Sequence, residues 1–254
     1  MGSAIAAFAL GCSVLGVLGA ATSYIGARTR LSTYLLTQFT FGTSGAKLVN
    51  VAIALSLVGW YGVICNYIGQ TSQQVVLDGF GIDLHPYLLV LLASGLMIFV
   101  TIRGFTGIDR LAFYLVPVMI AFLLFAAYRS NQFDPPDQVV PAGLFTFSTA
   151  VSAIIGSYIA GAIIQPDYSR FANSRRGSTV AVYIALGVVY PLILLVSAIP
   201  SILMGDTDLL RVLTTLNLAL PAFVLLFFGA WSSNVLCLYS ASLSIATVKT
   251  ETGR

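Results

Sequence analysis

The sequence predicts an all-α integral membrane protein, and three observations support this fold class. Only 8% of the 254 residues are charged and 58% are hydrophobic, whereas an ordinary soluble domain has roughly 25% charged residues. The charges lie in short patches separated by long charge-free stretches. The patches also alternate in Lys and Arg content along the chain. A soluble fold could not cover its surface with so few charges.

Each charge-free stretch predicts one helix, because a membrane span needs roughly 20 apolar residues. The seven helices predicted in this way are 3–26, 48–76, 87–103, 108–128, 143–164, 178–203 and 221–247. The second is too long for one span, so its polar end, which carries Gln70, Gln73 and Gln74, is expected to emerge into water. Residues 208–218 are expected to form a short helix or loop near the surface.

The distribution of Lys and Arg predicts the orientation. Ten of the twelve fall in alternate loops and at the C-terminus, and only Arg129 and Arg211 fall in the other loops. The ten define the cytoplasmic side of a plasma or inner membrane, which places the N-terminus outside and the C-terminus inside. An outside N-terminus without a basic region before the first apolar stretch suggests that a leading helix is missing from this chain. We therefore expect the chain to be part of a longer membrane protein.

Several classes of function are disfavoured by the residues present. The net charge is only +3, without a basic cluster of the kind that binds nucleic acid. The three cysteines lie within apolar spans without CxxC spacing, and the single histidine, His85, has no second ligand nearby in sequence. Walker, HExxH and GxSxG motifs are absent. We expect neither an enzyme nor a bound cofactor.

The second predicted span contains Trp60 near mid-depth, flanked by Gly59 and Gly62. Tryptophan usually lies at the membrane interfaces, so a ring at mid-depth suits stacking on a planar heterocycle. Packing of a bulky residue against small neighbours on another helix is the alternative.

The fifth span is interrupted by Gly156-Ser157, with an aromatic residue following at once. Discontinuous helices near the midplane supply backbone groups to substrates and ions in transporters. The sequence therefore predicts a break at this point. The alternative is a helix contact through small residues, Gly156 and Ala160.

The seventh span carries three consecutive polar residues, Ser232, Ser233 and Asn234, close to Gly229. Two hydroxyl groups offer hard oxygen ligands for Na⁺, with backbone carbonyls completing the shell. Serines in membrane helices more often bond a carbonyl of their own preceding turn, so this run is not specific by itself.

Four stretches taken together resemble the nucleobase–cation symporter family, the group of cytosine permeases and transporters of purines, uracil, allantoin and thiamine precursors. They are SYIGARTRLSTYLLTQFTFG (23–42), VGWYGV (58–63), PDYSRF (166–171) and WSSNVLCLYSASL (231–243). The resemblance implies a leucine-transporter-like inverted-repeat fold, of which this chain would hold family helices 2–8. It also implies a single, partial transmembrane domain. Within it, residues 1–128 would be the remainder of the first repeat and 143–254 the start of the second.

The resemblance also implies a substrate site and an ion site. Trp60 and Tyr158 would sandwich a planar substrate, with Gly59, Ser157 and Ala160 lining the same site and Asn234 beside it. Ser232 and Ser233, together with Gly229, would help to bind a coupling Na⁺ whose remaining ligands come from a helix absent from the chain. The chain departs from cytosine permeases at Leu57, Ala160 and Gly229, where that group carries Gln, Ser and Asn.

Three functions are consistent with this sequence. The first is Na⁺- or H⁺-coupled uptake of a nucleobase or related heterocycle by alternating access, with a small-molecule substrate and the lipid bilayer as partners and no nucleic acid. The second is transport of another small solute, such as an amino acid, on the same fold. The third is a truncated membrane fragment that transports nothing.

Overall fold

The computed structural model describes residues 2–103, 106–132, 146–206 and 209–250, and these are helical apart from short connecting segments. In chain order the helices are α1 (Gly2–Thr29), α2 (Thr33–Phe80), α3 (Pro86–Arg103), α4 (Thr106–Ser130), α5 (Phe147–Ile163), α6 (Pro166–Ser169), α7 (Arg175–Ile184), α8 (Tyr190–Met204), α9 (Leu209–Thr215) and α10 (Ala219–Thr250). A single π-helical turn, Ala185–Val189, joins α7 to α8.

The helices confirm the predicted all-α membrane fold class. Within the described residues, six helical segments are long and apolar enough to cross a membrane, and Pro86–Phe99 is a shorter apolar helix. Each of these seven segments overlaps one of the seven predicted spans, although the second begins earlier, at Thr33, and the predicted start of the fifth, residues 143–145, lies outside the described residues. The short helix α9 falls within the segment 208–218 that was expected to lie between spans.

The described residues divide into two compact units. Unit 1 draws on Met1–Ala54, Val139–Val196 and Leu243–Arg254, and unit 2 on Leu55–Gln138 and Ser197–Ser242. Each unit therefore takes segments from both of the predicted repeats, 1–128 and 143–254, and the repeat relationship itself stays a prediction. The helices α2, α8 and α10 contribute residues to both units.

Unit 1 is built around α1, which packs against α5, α6, α7 and the π-helical turn. Small residues on α1 allow this close packing. A β-carbon on Gly16 would lie 2.9 Å from the Cα atom of Gly187 in the π-helical turn. On the N-terminal side of Gly16, Leu15 packs with Ala162 and Leu186, and Cys12 packs with Ile154. The backbone-to-backbone approach leaves no space for a side chain at Gly16.

The first part of α2 belongs to unit 1 and is a separate short helix. Gly42 has φ 66° and ψ 177°, a left-handed conformation that favours glycine and interrupts the helix. The Thr37 hydroxyl, before this kink, donates to Oδ1 of Asn50 after it at 3.0 Å. Sequence analysis predicted no helix between residues 27 and 47, because the charge-free run between Arg30 and Lys47 is shorter than a membrane span.

Unit 2 has its core where α2, α3 and α10 meet. Cys65 and Ile68 of α2 are buried against Ala93 and Met97 of α3, and Trp231 of α10 packs against this cluster. The Tyr61 hydroxyl donates to the backbone oxygen of Ser94 at 3.0 Å, which ties α2 to α3. A second cluster joins α4, α9 and α10 through Ala126, Leu213 and Ala222.

The predicted break at Gly156-Ser157 is wrong, since α5 is helical without interruption from Phe147 to Ile163. The Ser157 hydroxyl donates to the backbone oxygen of Ile154 at 2.7 Å, so it reinforces the preceding turn. A glycine costs a helix about 1 kcal/mol relative to alanine, whereas each unpaired backbone group in hydrocarbon costs several. A continuous helix therefore costs less free energy than a broken one. Within the described residues, a β-carbon on Gly156 would meet no atom within 4 Å, so the alternative of a helix contact there is not seen either.

Besides the kink at Gly42, a departure from α-helical geometry lies in the π-helical turn. The backbone N–H of Tyr190 donates to the oxygen of Ala185, five residues earlier. Pro191 follows, and a proline both lacks an N–H and crowds the carbonyl four residues before it, here that of Gly187. A wider turn at this point relieves the crowding.

Candidate functional site

The Trp60 side chain lies on an exposed face of α2 in unit 2. It is 46% exposed, while its neighbour Tyr61 points into the core of unit 2. The two flanking glycines, Gly59 and Gly62, have no atom of the described structure within 4 Å of where a β-carbon would lie. A large flat ring beside open backbone on a membrane helix is a surface on which a planar molecule can stack.

The Asn234 side chain is fully buried in the core of unit 2. Its Nδ2 lies 3.3 Å from Cys65 Sγ and 3.3 Å from Met97 Sδ. Its Oδ1 has no partner among the described residues. A buried amide oxygen without a partner is costly, so this position has unused capacity to accept a hydrogen bond. Whether it accepts one from substrate stays a prediction.

The two serines before Asn234 are half-buried on α10. The Ser232 hydroxyl donates to the backbone oxygen of Gly229 at 2.9 Å. This bond uses the hydrogen and leaves oxygen lone pairs available to a cation. Gly229 itself lies against α4, because a β-carbon there would be 3.2 Å or less from the thioether of Met119. Hydroxyl and carbonyl oxygens thus lie together in one turn of α10, and the binding of a cation there stays a prediction.

The other predicted residues, Ser157, Tyr158 and Ala160, belong to unit 1. The Tyr158 ring is 40% exposed and lies over Gly161 of its own helix. A β-carbon on Gly161 would approach Cε1 and Cζ of that ring to 2.7 Å. The ring position therefore requires glycine at this place, and Ala160 beside it is half-buried. Sequence analysis did not select Gly161, although its spacing of three residues from Tyr158 puts both on one helical face.

A second residue that sequence analysis missed is Tyr190. Its hydroxyl lies 3.0 Å from that of Ser157, and its ring centroid lies 6.0 Å from that of Tyr158. Ser157, Tyr158 and Tyr190 thus form one polar and aromatic group in unit 1. Trp60 belongs to unit 2, so the predicted sandwich of Trp60 and Tyr158 stays a prediction.

A polar junction ends unit 1 on the side of the PDYSRF stretch. Asp167 is fully buried, and its Oδ1 accepts a hydrogen bond from the backbone N–H of Thr33 at 2.8 Å. The Arg30 guanidinium donates to the backbone oxygens of Arg170 and Ala172 at 2.7 and 2.6 Å. These bonds fix the start of α2 against α6.

A family model described as permease for cytosine/purines, uracil, thiamine, allantoin matches residues 1–252. The chain belongs to this permease family. The resemblance inferred from four short stretches is thereby confirmed over nearly all of the sequence.

Individual members of the permease family are similar over most of this chain. The cytosine permease of Escherichia coli O157:H7 is 28% identical over 245 residues, covering 94% of this chain and 57% of the relative. The cytosine permease of Escherichia coli strain K12 is 28% identical over 247 residues with the same coverage. The chain therefore spans somewhat more than half the length of these curated relatives.

A solved structure titled "Inward facing conformation of Mhp1" matches with a TM-score of 0.75 at 20% identity. The match covers 98% of this chain and 59% of that one. It confirms the leucine-transporter-like fold for the permease segment described here. Together with the apolar helices, family membership makes the chain part of a multi-pass membrane protein.

Proposed function

We propose that this chain is part of a secondary active transporter that takes up a nucleobase or related planar heterocycle, coupled to Na⁺ or H⁺, by alternating access. Membership in the permease family over residues 1–252 is the observation that carries the proposal. The exposed Trp60 ring, with open backbone at Gly59 and Gly62, adds a surface that suits a flat substrate. Transport needs no covalent chemistry, which agrees with a site of aromatic rings, hydroxyls and one amide.

We expect hydrogen bonds from side chains to contribute little to substrate recognition. Leu57 is buried and Ala160 is half-buried, and neither can donate or accept through its side chain. Sites built on buried hydrogen bonds reject analogues strongly, whereas sites lacking them discriminate less. Stacking on Trp60 and Tyr158 would then supply most of the recognition, and we expect several planar bases to compete with one another.

An uptake assay tests this function in the protein expressed from its natural reading frame. Cytosine, hypoxanthine, uracil and an amino acid would be offered to the same cells, each labelled and each as a competitor. Saturable uptake of at least one base, inhibited by the other bases and not by the amino acid, is expected. Uptake of the amino acid alone would instead assign a transporter of another solute, and equal uptake with and without expression would overturn both.

The Trp60 variants test the site itself. Trp60→Leu removes the flat ring and should abolish saturable base uptake, while Trp60→Phe keeps a ring and should retain part of it. Tyr87→Leu is a matched control, since Tyr87 is also exposed, at 67%, but lies in the first turn of α3. Uptake by Trp60→Leu equal to that of the control, at equal amounts of protein in the membrane, would remove Trp60 from the site.

The orientation is also a proposal, with the N-terminus of this segment outside and its C-terminus in the cytoplasm. It rests on ten of twelve Lys and Arg residues lying in alternate loops and at the C-terminus. Single cysteines at Asp83 and Arg175, both exposed, would be labelled with an impermeant thiol reagent in intact cells. Labelling is expected at position 83 and only after lysis at position 175. The reverse pattern would invert the topology.

A further inference from the structure

Tyr190 is the residue whose backbone N–H closes the π-helical turn. Relative to an α-helix, a turn closed by a bond to the fifth preceding residue contains one additional residue, equivalent to roughly 100° of rotation. Val182, before the turn, and Leu186, within it, face α1. Tyr190, which ends the turn, is half-buried against the clusters of both Cys12 and Leu15, and its hydroxyl lies 3.0 Å from that of Ser157 on α5. Tyr190 therefore lies where α1, α5 and the start of α8 pack together.

The hydrogen bonds of Ser157 show which of the two hydroxyls, Ser157 or Tyr190, is the donor. The Ser157 hydroxyl has one hydrogen, and it donates this hydrogen to the backbone oxygen of Ile154 at 2.7 Å. In the contact of 3.0 Å between the two hydroxyls, Tyr190 is then the donor and Ser157 the acceptor. The chain of bonds runs from Tyr190 through Ser157 to the backbone of α5.

The Tyr190 ring also limits where the Tyr158 ring can lie. The two ring centroids are 6.0 Å apart and the planes are inclined at 49°, within the range of favourable aromatic pairs. The Tyr158 ring also lies over Gly161 of its own helix. The exposed ring thus has two neighbours that limit its position, a glycine of its own helix and an aromatic side chain from α8.

We infer that Tyr190 is a positioning residue of the substrate site, acting through the Ser157 hydroxyl and the Tyr158 ring on the affinity for a planar heterocycle. This inference rests on the proposed function and extends it to a helix from which sequence analysis selected no site residue. Each of its two contacts has a separate consequence. Loss of the Tyr190 hydroxyl releases Ser157, and loss of the ring releases Tyr158.

Transport kinetics separate positioning from folding. Tyr190→Phe removes only the hydroxyl and should raise the half-saturating concentration of the transported base about 2- to 10-fold, the range for one hydrogen bond. The maximal rate per molecule in the membrane should change less than twofold. Tyr190→Leu also removes the ring and should raise that concentration further. Tyr183→Phe is the matched control, because Tyr183 lies seven residues earlier, on the part of the helix that packs near Gly16.

A double-mutant comparison tests the hydrogen bond itself. If Tyr190 acts through Ser157, then Ser157→Ala combined with Tyr190→Phe should be no worse than the more severe single variant. Additive effects would overturn action through Ser157. A different result is that the wild type takes up a base, while Tyr190→Phe and Tyr190→Leu both show the half-saturating concentration of the wild type. That result would overturn the inference and leave the proposed function standing.

A measurement that does not depend on transport distinguishes failure of the Tyr190 inference from failure of the proposed function. Tyr158→Cys would be labelled with a small methanethiosulfonate reagent, with Tyr190 intact and with Tyr190→Leu, in the purified protein. We expect faster labelling at position 158 once the neighbouring ring is removed. An unchanged labelling rate would overturn the inference even if the protein carries no base. If the transported solute is an amino acid, the same kinetic variants are measured with that solute.

Discussion

The Asp167 carboxylate and the backbone N–H of Thr33 are joined by a hydrogen bond of 2.8 Å, although the two residues are far apart in sequence. Asp167 is fully buried and Thr33 is 5% exposed. Thr33 is the first residue of α2, where backbone N–H groups have no partner within the helix. A side chain from the PDYSRF stretch thus fixes the start of α2.

We expect Asp167→Ala to destabilise the protein by about 1–3 kcal/mol, the cost of leaving a buried backbone donor without its acceptor. Asp167→Asn keeps a side-chain oxygen for the Thr33 N–H and should be milder. Thermal unfolding of the detergent-purified protein measures both. Asp83→Ala is the control, since Asp83 accepts from Gln73 at 2.9 Å on an exposed surface. Equal midpoints for Asp167→Ala and Asp83→Ala would contradict a stabilising role for the buried bond.

The helices and the family could be read from the sequence, whereas contacts between helices could not. Long apolar runs place the spans because hydrocarbon tolerates little else. The role of Tyr190 depends on the register of a helix relative to α5, and local composition does not encode that register. The sequence does place a tyrosine, Tyr190, within an apolar span and directly before Pro191, and this was the one feature that could have marked it. The predicted break at Gly156-Ser157 was wrong for a related reason, because Ser157 satisfies its bonding within an intact helix.

Because α1 crosses the π-helical turn in backbone contact, we expect a substitution at Gly16 to lower the stability of the protein. Gly16→Ala would place a methyl group 2.9 Å from Cα and 3.0 Å from N of Gly187, and neither backbone atom can move aside alone. We expect a loss of about 1–3 kcal/mol, as for other overpacked sites.

Gly156→Ala provides the matched control for Gly16→Ala. Position 156 is also a helical glycine, but its added methyl group would meet no described atom within 4 Å. It should be neutral or stabilise α5 by up to about 1 kcal/mol. Thermal midpoints measured in the same detergent compare the two. A Gly16→Ala protein as stable as the Gly156→Ala protein would show that the helices are not in backbone contact at Gly16.

Gly161 is expected to control the position of the Tyr158 ring without contributing to stability. Gly161→Ala would displace that ring, because the added methyl group would lie 2.7 Å from its Cζ atom. Loss of one aromatic contact, of about 0.5–1.5 kcal/mol, corresponds to a rise of about 2- to 10-fold in the half-saturating substrate concentration.

Uptake kinetics and thermal unfolding together test the Gly161 prediction. The midpoint of unfolding should stay near that of the wild type, since an exposed ring can swing aside. Gly177→Ala, in α7, is the control, because its methyl group would make ordinary contact at 3.4 Å with Ser174. If Gly161→Ala leaves the half-saturating concentration unchanged, the Tyr158 ring does not contact substrate in the way proposed.

The serine pair of α10 predicts how uptake depends on sodium. Ser232 already donates its hydrogen to Gly229, so its oxygen can face a cation through lone pairs, and Ser233 adds a second hydroxyl. Ser232→Ala and Ser233→Ala should each raise the Na⁺ concentration for half-maximal uptake by roughly tenfold, about 1.4 kcal/mol. Ser242→Ala is the control, because its exposed hydroxyl makes the same kind of bond, 2.7 Å to the backbone oxygen of Tyr239, on the same helix. If uptake by the wild type is independent of Na⁺ and driven by a pH gradient, the coupling ion is a proton. The two serines would then serve only the structure of α10.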